Sequence, residues 1–110
     1  MKRNTKTAEA SSGNVYADLG FGDAAEMKAK AQLVAEIARV IHDRKLTQVE
    51  AAKQMGINQP KVSALLKGQF SGYSQERLIG FLNRLGHDVE IIVRPASPPA
   101  NVGTISVVLG

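Results

Sequence analysis

The run TQVEAAKQMGINQPKVSALLKG, residues 47–68, is punctuated so densely that it leaves the chain little freedom. Thr47 followed three residues later by Glu50 is the capping-box pattern, in which each side chain serves the other's backbone N–H at a helix start. Gly56 stands where that helix should stop, because a left-handed residue there is best without a Cβ. Asn58 caps a second start. Pro60 is tolerated just inside it, where N–H groups lack helical partners anyway. Gly68 closes the second helix. The spacing predicts helices over 48–55 and 59–67 joined by glycine, an apolar residue and a cap, which is a helix-turn-helix. Ala51 and Ala52 let a neighbour approach closely, and Met55 and Ile57 fill the space around the turn.

On a wheel of about 100° per residue, Val62, Leu65 and Leu66 share one face of the second helix. Pro60, Ala64 and Lys67 lie opposite, Ser63 and Lys61 flank them, and Asn58 and Gln59 stand at the N-terminal end. One face suits a core. The other suits the DNA major groove, where amides, hydroxyls and methyl groups read base edges. Gln59 can pair with adenine, Ser63 can donate or accept, and Ala64 and the Pro60 ring can touch a thymine methyl. Lys61 and Lys67 can neutralise phosphates, and Gln48 can hold one together with the N-terminus of the first helix. An ordinary helical hairpin would not need all these signals at fixed offsets.

Charge agrees with that reading. Of a formal net charge of +4, residues 45–68 hold Lys45, Lys53, Lys61 and Lys67 against Glu50 alone. Clustered positive charge is the footprint of a polyanion partner. The length, 110 residues, suits one domain with tails, and 44% hydrophobic residues with no Trp imply an aliphatic core. Absent cysteine excludes disulfides and thiol catalysis and fits a reducing compartment. No run approaches the roughly 18 apolar residues a membrane span needs, and MKRNTKTAEASS lacks the apolar stretch of a secretory signal. A cytoplasmic, nucleoid-associated protein is expected. No nucleophile elbow, phosphate loop or carboxylate pair occurs, and GFGD at 20–23 reads as a turn. His42 and His87 stand alone, and His87, Asp88 and Glu90 do not make a ligand cluster. Neither enzyme activity, cofactor nor metal is expected.

The remaining chain divides simply. Residues 1–13 read as a disordered basic arm and NVYADLGF, 14–21, as an irregular lead-in to a helical domain over 14–86. Asp23 should cap a long helix over 24–44. Met27, Ala31, Val34, Ala38 and Ile41 form its stripe, Leu33, Ile37 and Val40 widen it, and Arg44 and Lys45 close it. Ser74 should cap a helix over 75–85 with Leu78, Ile79, Leu82 and Leu85 inward and Gly86 as its stop. Within 87–95, DVEIIVR alternates as a strand, with Val89, Ile91 and Val93 on one face and Ile92 on the other. A lone strand needs a partner. TISVVL (104–109), in the tail 96–110, could supply it. A second protomer is favoured, because closed two-fold dimers are the commonest assembly. Dimerisation through Val89, Ile91, Ile92 and Val93 would space two reading helices by about one DNA turn, ~34 Å.

TQ at 47–48, AA at 51–52, MG at 55–56, NQ at 58–59 and VSALLKG at 62–68 resemble the lambda-repressor-like, XRE-family helix-turn-helix domains, over 24–86. The resemblance implies a mainly α, lambda-repressor-like fold of four to five helices, to which the C-terminal β-strand read from DVEIIVR is appended, with pairing across a dimer expected. It implies that Gln48, Gln59, Ser63 and Lys67 face DNA. Proline at 60 departs from the family's usual polar residue. NVYADLGF, QPKVSALLKG and LIGFLNRLGHDVEIIVRP resemble a compact subgroup, the HigA-type antitoxins that partner RelE/HigB-like ribonuclease toxins. That implies a homodimer on an inverted-repeat, double-stranded operator, autorepression, and neutralisation of a toxin. The alternative is a protein-interaction module that chiefly masks such a toxin, with DNA binding secondary.

Overall fold

The computed structural model describes residues 20–98 and 102–110, with side chains of the first helix described from residue 24. Four helices follow in order: α1 (Gly20–Asp43), α2 (Gln48–Met55), α3 (Gln59–Leu66) and α4 (Gln75–Arg84). The expected arm at 1–13 and most of the lead-in at 14–21 lie outside the described residues.

α1 begins at Gly20, so Asp23 sits inside its first turn and is not the cap expected. A carboxylate suits both places, because the helix dipole is positive over the whole first turn. The buried stripe of α1 runs through Ala29, Leu33, Val34, Ile37, Val40 and Ile41. Ala31, expected inside, is exposed, and Met27 and Ala38 are half-buried. The stripe is therefore centred on the residues expected only to widen it, where the bulkier aliphatics remove more area from water.

α1 lies chiefly against α4, and α2 against α3, with α3 also touching α1 and α2 touching α4. Between them Ile37, Val40, Met55, Val62, Leu65, Leu78 and Leu85 are fully buried. Phe81 joins the core from α4, a position the helix wheel had not marked, and Ile79 is only half-buried. Tyr73 meets Phe81 edge-to-face at 5.8 Å, and the Arg77 guanidinium lies over both rings at 5.6 and 5.4 Å.

The helices end alike. A 6→1 bond closes each C-terminus: Leu46 N–H to Ile41 O at 3.0 Å, Ile57 to Ala52 at 3.1 Å, Gln69 to Ala64 at 3.1 Å and His87 to Leu82 at 2.9 Å. These bonds require a left-handed residue just before the donor. Gly56, Gly68 and Gly86 provide it at φ of 77°, 94° and 90°. At α1 the position falls to Lys45, with φ of 57°. There a Cβ meets the backbone in the conformation glycine adopts freely.

Among the described residues no strand forms. The expected strand at 88–94 is irregular in the single chain, and so is 104–109. Each presses one valine, Val89 and Val107, against the helical core. The two segments share no backbone ladder, so the intrachain pairing held open above does not occur here. A strand is defined by its neighbour's hydrogen bonds, and alternation in sequence supplies only one side of them.

Candidate nucleic-acid interface

The site grows from two helix starts. Thr47 Oγ1 accepts from Glu50 N–H at 3.0 Å, and Glu50 Oε1 accepts from Thr47 N–H at 2.8 Å, so the capping box is complete. Asn58 Oδ1 accepts from Lys61 N–H at 2.9 Å, which fixes the start of α3. Its carboxamide oxygen is thus engaged, leaving the amide N–H groups as Asn58's free donors.

Gln59 Nε2 donates to Gln48 Oε1 at 2.8 Å. This bond ties the first residue of α2 to the first residue of α3. It also orients both amides. Gln48, accepting through its oxygen, keeps its NH₂ free to donate, as a phosphate oxygen requires. Gln59 keeps its carbonyl oxygen and one N–H, the pair that adenine's edge can use. The sequence assigned the two glutamines to separate contacts, and the structure joins them.

Along α3, Val62 and Leu65 are buried and Leu66 is half-buried. Gln59, Pro60, Lys61 and Lys67 are exposed, and Ser63 and Ala64 are half-buried. The small pair lies lower in the surface and the longer polar groups ring it. Asn58 is exposed beside them. Lys53 is exposed on α2, adding to the positive charge of this unit. Val49 also stands out on α2, 61% exposed between Gln48 and Glu50, and no motif or spacing singles it out.

Two arginines make contacts around the site that the sequence did not announce. Arg44 Nη1, just past α1, donates to Gln54 Oε1 on α2 at 2.8 Å and to the Leu85 carbonyl at 3.0 Å. Its partners lie far along the chain, so no local spacing announces them. Arg84 lays its guanidinium over Gly56, where a Cβ would meet Nη1 at 2.8 Å. Gly56 is favoured by its left-handed φ, whereas the guanidinium above it is the end of an exposed, flexible side chain that can move aside.

Of the residues expected to mediate dimerisation, Val89 is half-buried, while Ile91, Ile92 and Val93 are exposed by 76%, 71% and 90%.

Two short helices crossing at a glycine turn, the second showing a polar outer face, define a helix-turn-helix. The chain belongs to that family: residues 15–94 match the model of the helix-turn-helix domain. It is also similar to a solved structure that carries the provisional name of XRE-family transcriptional regulator, at 43% identity and a TM-score of 0.74, over 80% of this chain and 99% of that one. No curated protein matches it.

Proposed function

We propose that this protein is a sequence-specific DNA-binding transcriptional regulator, a repressor that acts as a homodimer on an inverted-repeat operator. The observation that carries this reading is the Gln48–Gln59 bond. It locks a phosphate-facing amide and a base-facing amide into one unit, so backbone positioning and base readout share a register. Lys61 and Lys67 supply the phosphate charge, and Pro60, Ser63 and Ala64 the close contact surface. The name of the similar solved structure points the same way. The homodimer rests on the unpaired, apolar segment at 88–94.

Within that reading we place the protein as an autoregulating antitoxin of a type II pair, on its resemblance to the HigA-type subgroup. The exposed Val102, Ile105, Val108 and Leu109 favour a protein partner for the tail, which suits a module that masks a RelE/HigB-like toxin. A small basic protein encoded next to this one, recovered bound to it, is the expected finding. Its absence from the neighbouring reading frames removes the antitoxin assignment and leaves the regulator.

The deciding experiment is a fluorescence-anisotropy titration against the DNA upstream of the protein's own gene, beside a scrambled duplex, across a salt series. Selective binding with a log–log slope of about 0.9 per neutralised phosphate is expected. Equal, weak binding to both duplexes would sink the proposal.

A further inference from the structure

The segment DVEIIVR carries enough chemistry to fix how two copies meet, given the homodimer proposed above. In an antiparallel pair, residues directly opposite one another share a face of the ribbon. Val89 alone of the segment rests against the helical core of its own chain, and Ile91 and Val93 stand exposed. Once 88–94 is extended, alternation puts Ile91 and Val93 on Val89's face, which becomes the inward one. Both helical bodies must lie on the same side of the ribbon if both reading helices are to reach one duplex. Only registers that set odd-numbered residues opposite odd-numbered ones achieve this, since a slip of one residue reverses every side chain.

Few such registers exist. Centring the two-fold axis on Glu90 sets the two Glu90 carboxylates against each other, and directly opposed like charges destabilise a ribbon. Centring it on Ile92 opposes Glu90 to the partner's Arg94, twice by the two-fold, so charge alone does not reject it. But it sets Pro95, which has no N–H, into the ladder opposite Val89 and leaves Asp88 against Ala96. Centring it on Ile91 pairs every residue from 88 to 94 and stops short of Pro95.

We propose that residues 88–94 pair with a second copy of this chain in antiparallel register about a two-fold axis through Ile91, with Asp88 opposite the partner's Arg94. The two-fold makes that ion pair twice, one at each end of the ribbon. Val93, 90% exposed in the single chain, comes to lie beside the partner's Val89, which is already seated on a helical core. The most exposed apolar group of the segment is thereby covered by the other body. Ile91 meets its own copy at the axis. Glu90 and Ile92 pair across the outer face.

The test is a charge exchange read by sedimentation equilibrium on the full chain, with far-UV circular dichroism to confirm that the helices persist. Asp88→Arg and Arg94→Asp each oppose like charges at both ends and should weaken the dimer by about tenfold. The double variant Asp88→Arg/Arg94→Asp should return it to near the original strength. Because the chain has no cysteine, Ile91→Cys should form a disulfide-linked dimer on mild oxidation, faster than Ile92→Cys. A double variant no stronger than the singles, or faster linkage through Ile92→Cys, overturns the register while the dimer stands. An unaltered chain that stays monomeric at all concentrations overturns the dimer and the register with it.

Discussion

At the scale of single residues, the site depends on groups that do two things at once. Gln48 and Gln59 are each a potential DNA contact and each the other's support. Removing either frees the other, so their effects should not add. Gln59→Ala should cost about 1–3 kcal/mol of operator affinity. Gln48→Ala should cost a similar amount, and the double variant clearly less than the sum, because residues sharing a hydrogen bond couple. Anisotropy titrations of the three variants give the coupling directly, and strict additivity would show that the bond plays no part in recognition. Gly56 and Lys45 make a contrasting pair of left-handed residues. Gly56→Ala forces a Cβ into the unfavourable left-handed region and should lower stability by about 1–2 kcal/mol in urea melts, while the flexible Arg84 end shifts aside. Lys45→Gly relieves the same strain at the end of α1 and should raise stability by about 0.5–1 kcal/mol after the entropy of the added glycine is counted.

At the scale of elements, the N-caps of α2, α3 and α4 were legible, that of α1 was not, and neither were the partners each element packs against. Thr47, Asn58 and Ser74 all act as N-caps, and the bounds of α2 are those expected, because each signal works through neighbours within four residues. The same locality explains the misses. The stripe of α1 could be drawn through Ala31 or through Leu33 and Ile37 on periodicity alone, and only the position of α4 chooses. The Gln48–Gln59 bond, the Arg44 bridges and the Arg84–Gly56 contact join residues on different elements, so no spacing encodes them. The start of α2 also tests how far a cap matters to function. Thr47→Ala removes the acceptor for Glu50 N–H and should cost about 1 kcal/mol of stability. It should weaken operator binding as well, since Gln48 is the next residue along. A variant that melts earlier but binds DNA unchanged would show that the cap serves the fold alone.

At the scale of the whole molecule, the question is how the reading unit is placed on DNA. Operator binding should fall steeply with salt, and Lys61→Ala should reduce the log–log slope by about 1, the share of one phosphate. An unchanged slope would place Lys61 away from the backbone. The alternation of DVEIIVR was plain in the sequence, but alternation names no partner, and within the single chain no neighbouring edge pairs with it. Arg44 gives this arrangement a mechanical meaning. One guanidinium grips Gln54 on the α2 side and the Leu85 carbonyl at the root of the C-terminal segment. Two such molecules joined at 88–94 would behave as a caliper with a stiff shoulder, its jaws held at one gap. Its operator should then tolerate changes of sequence between the half-sites better than the insertion of a single base pair.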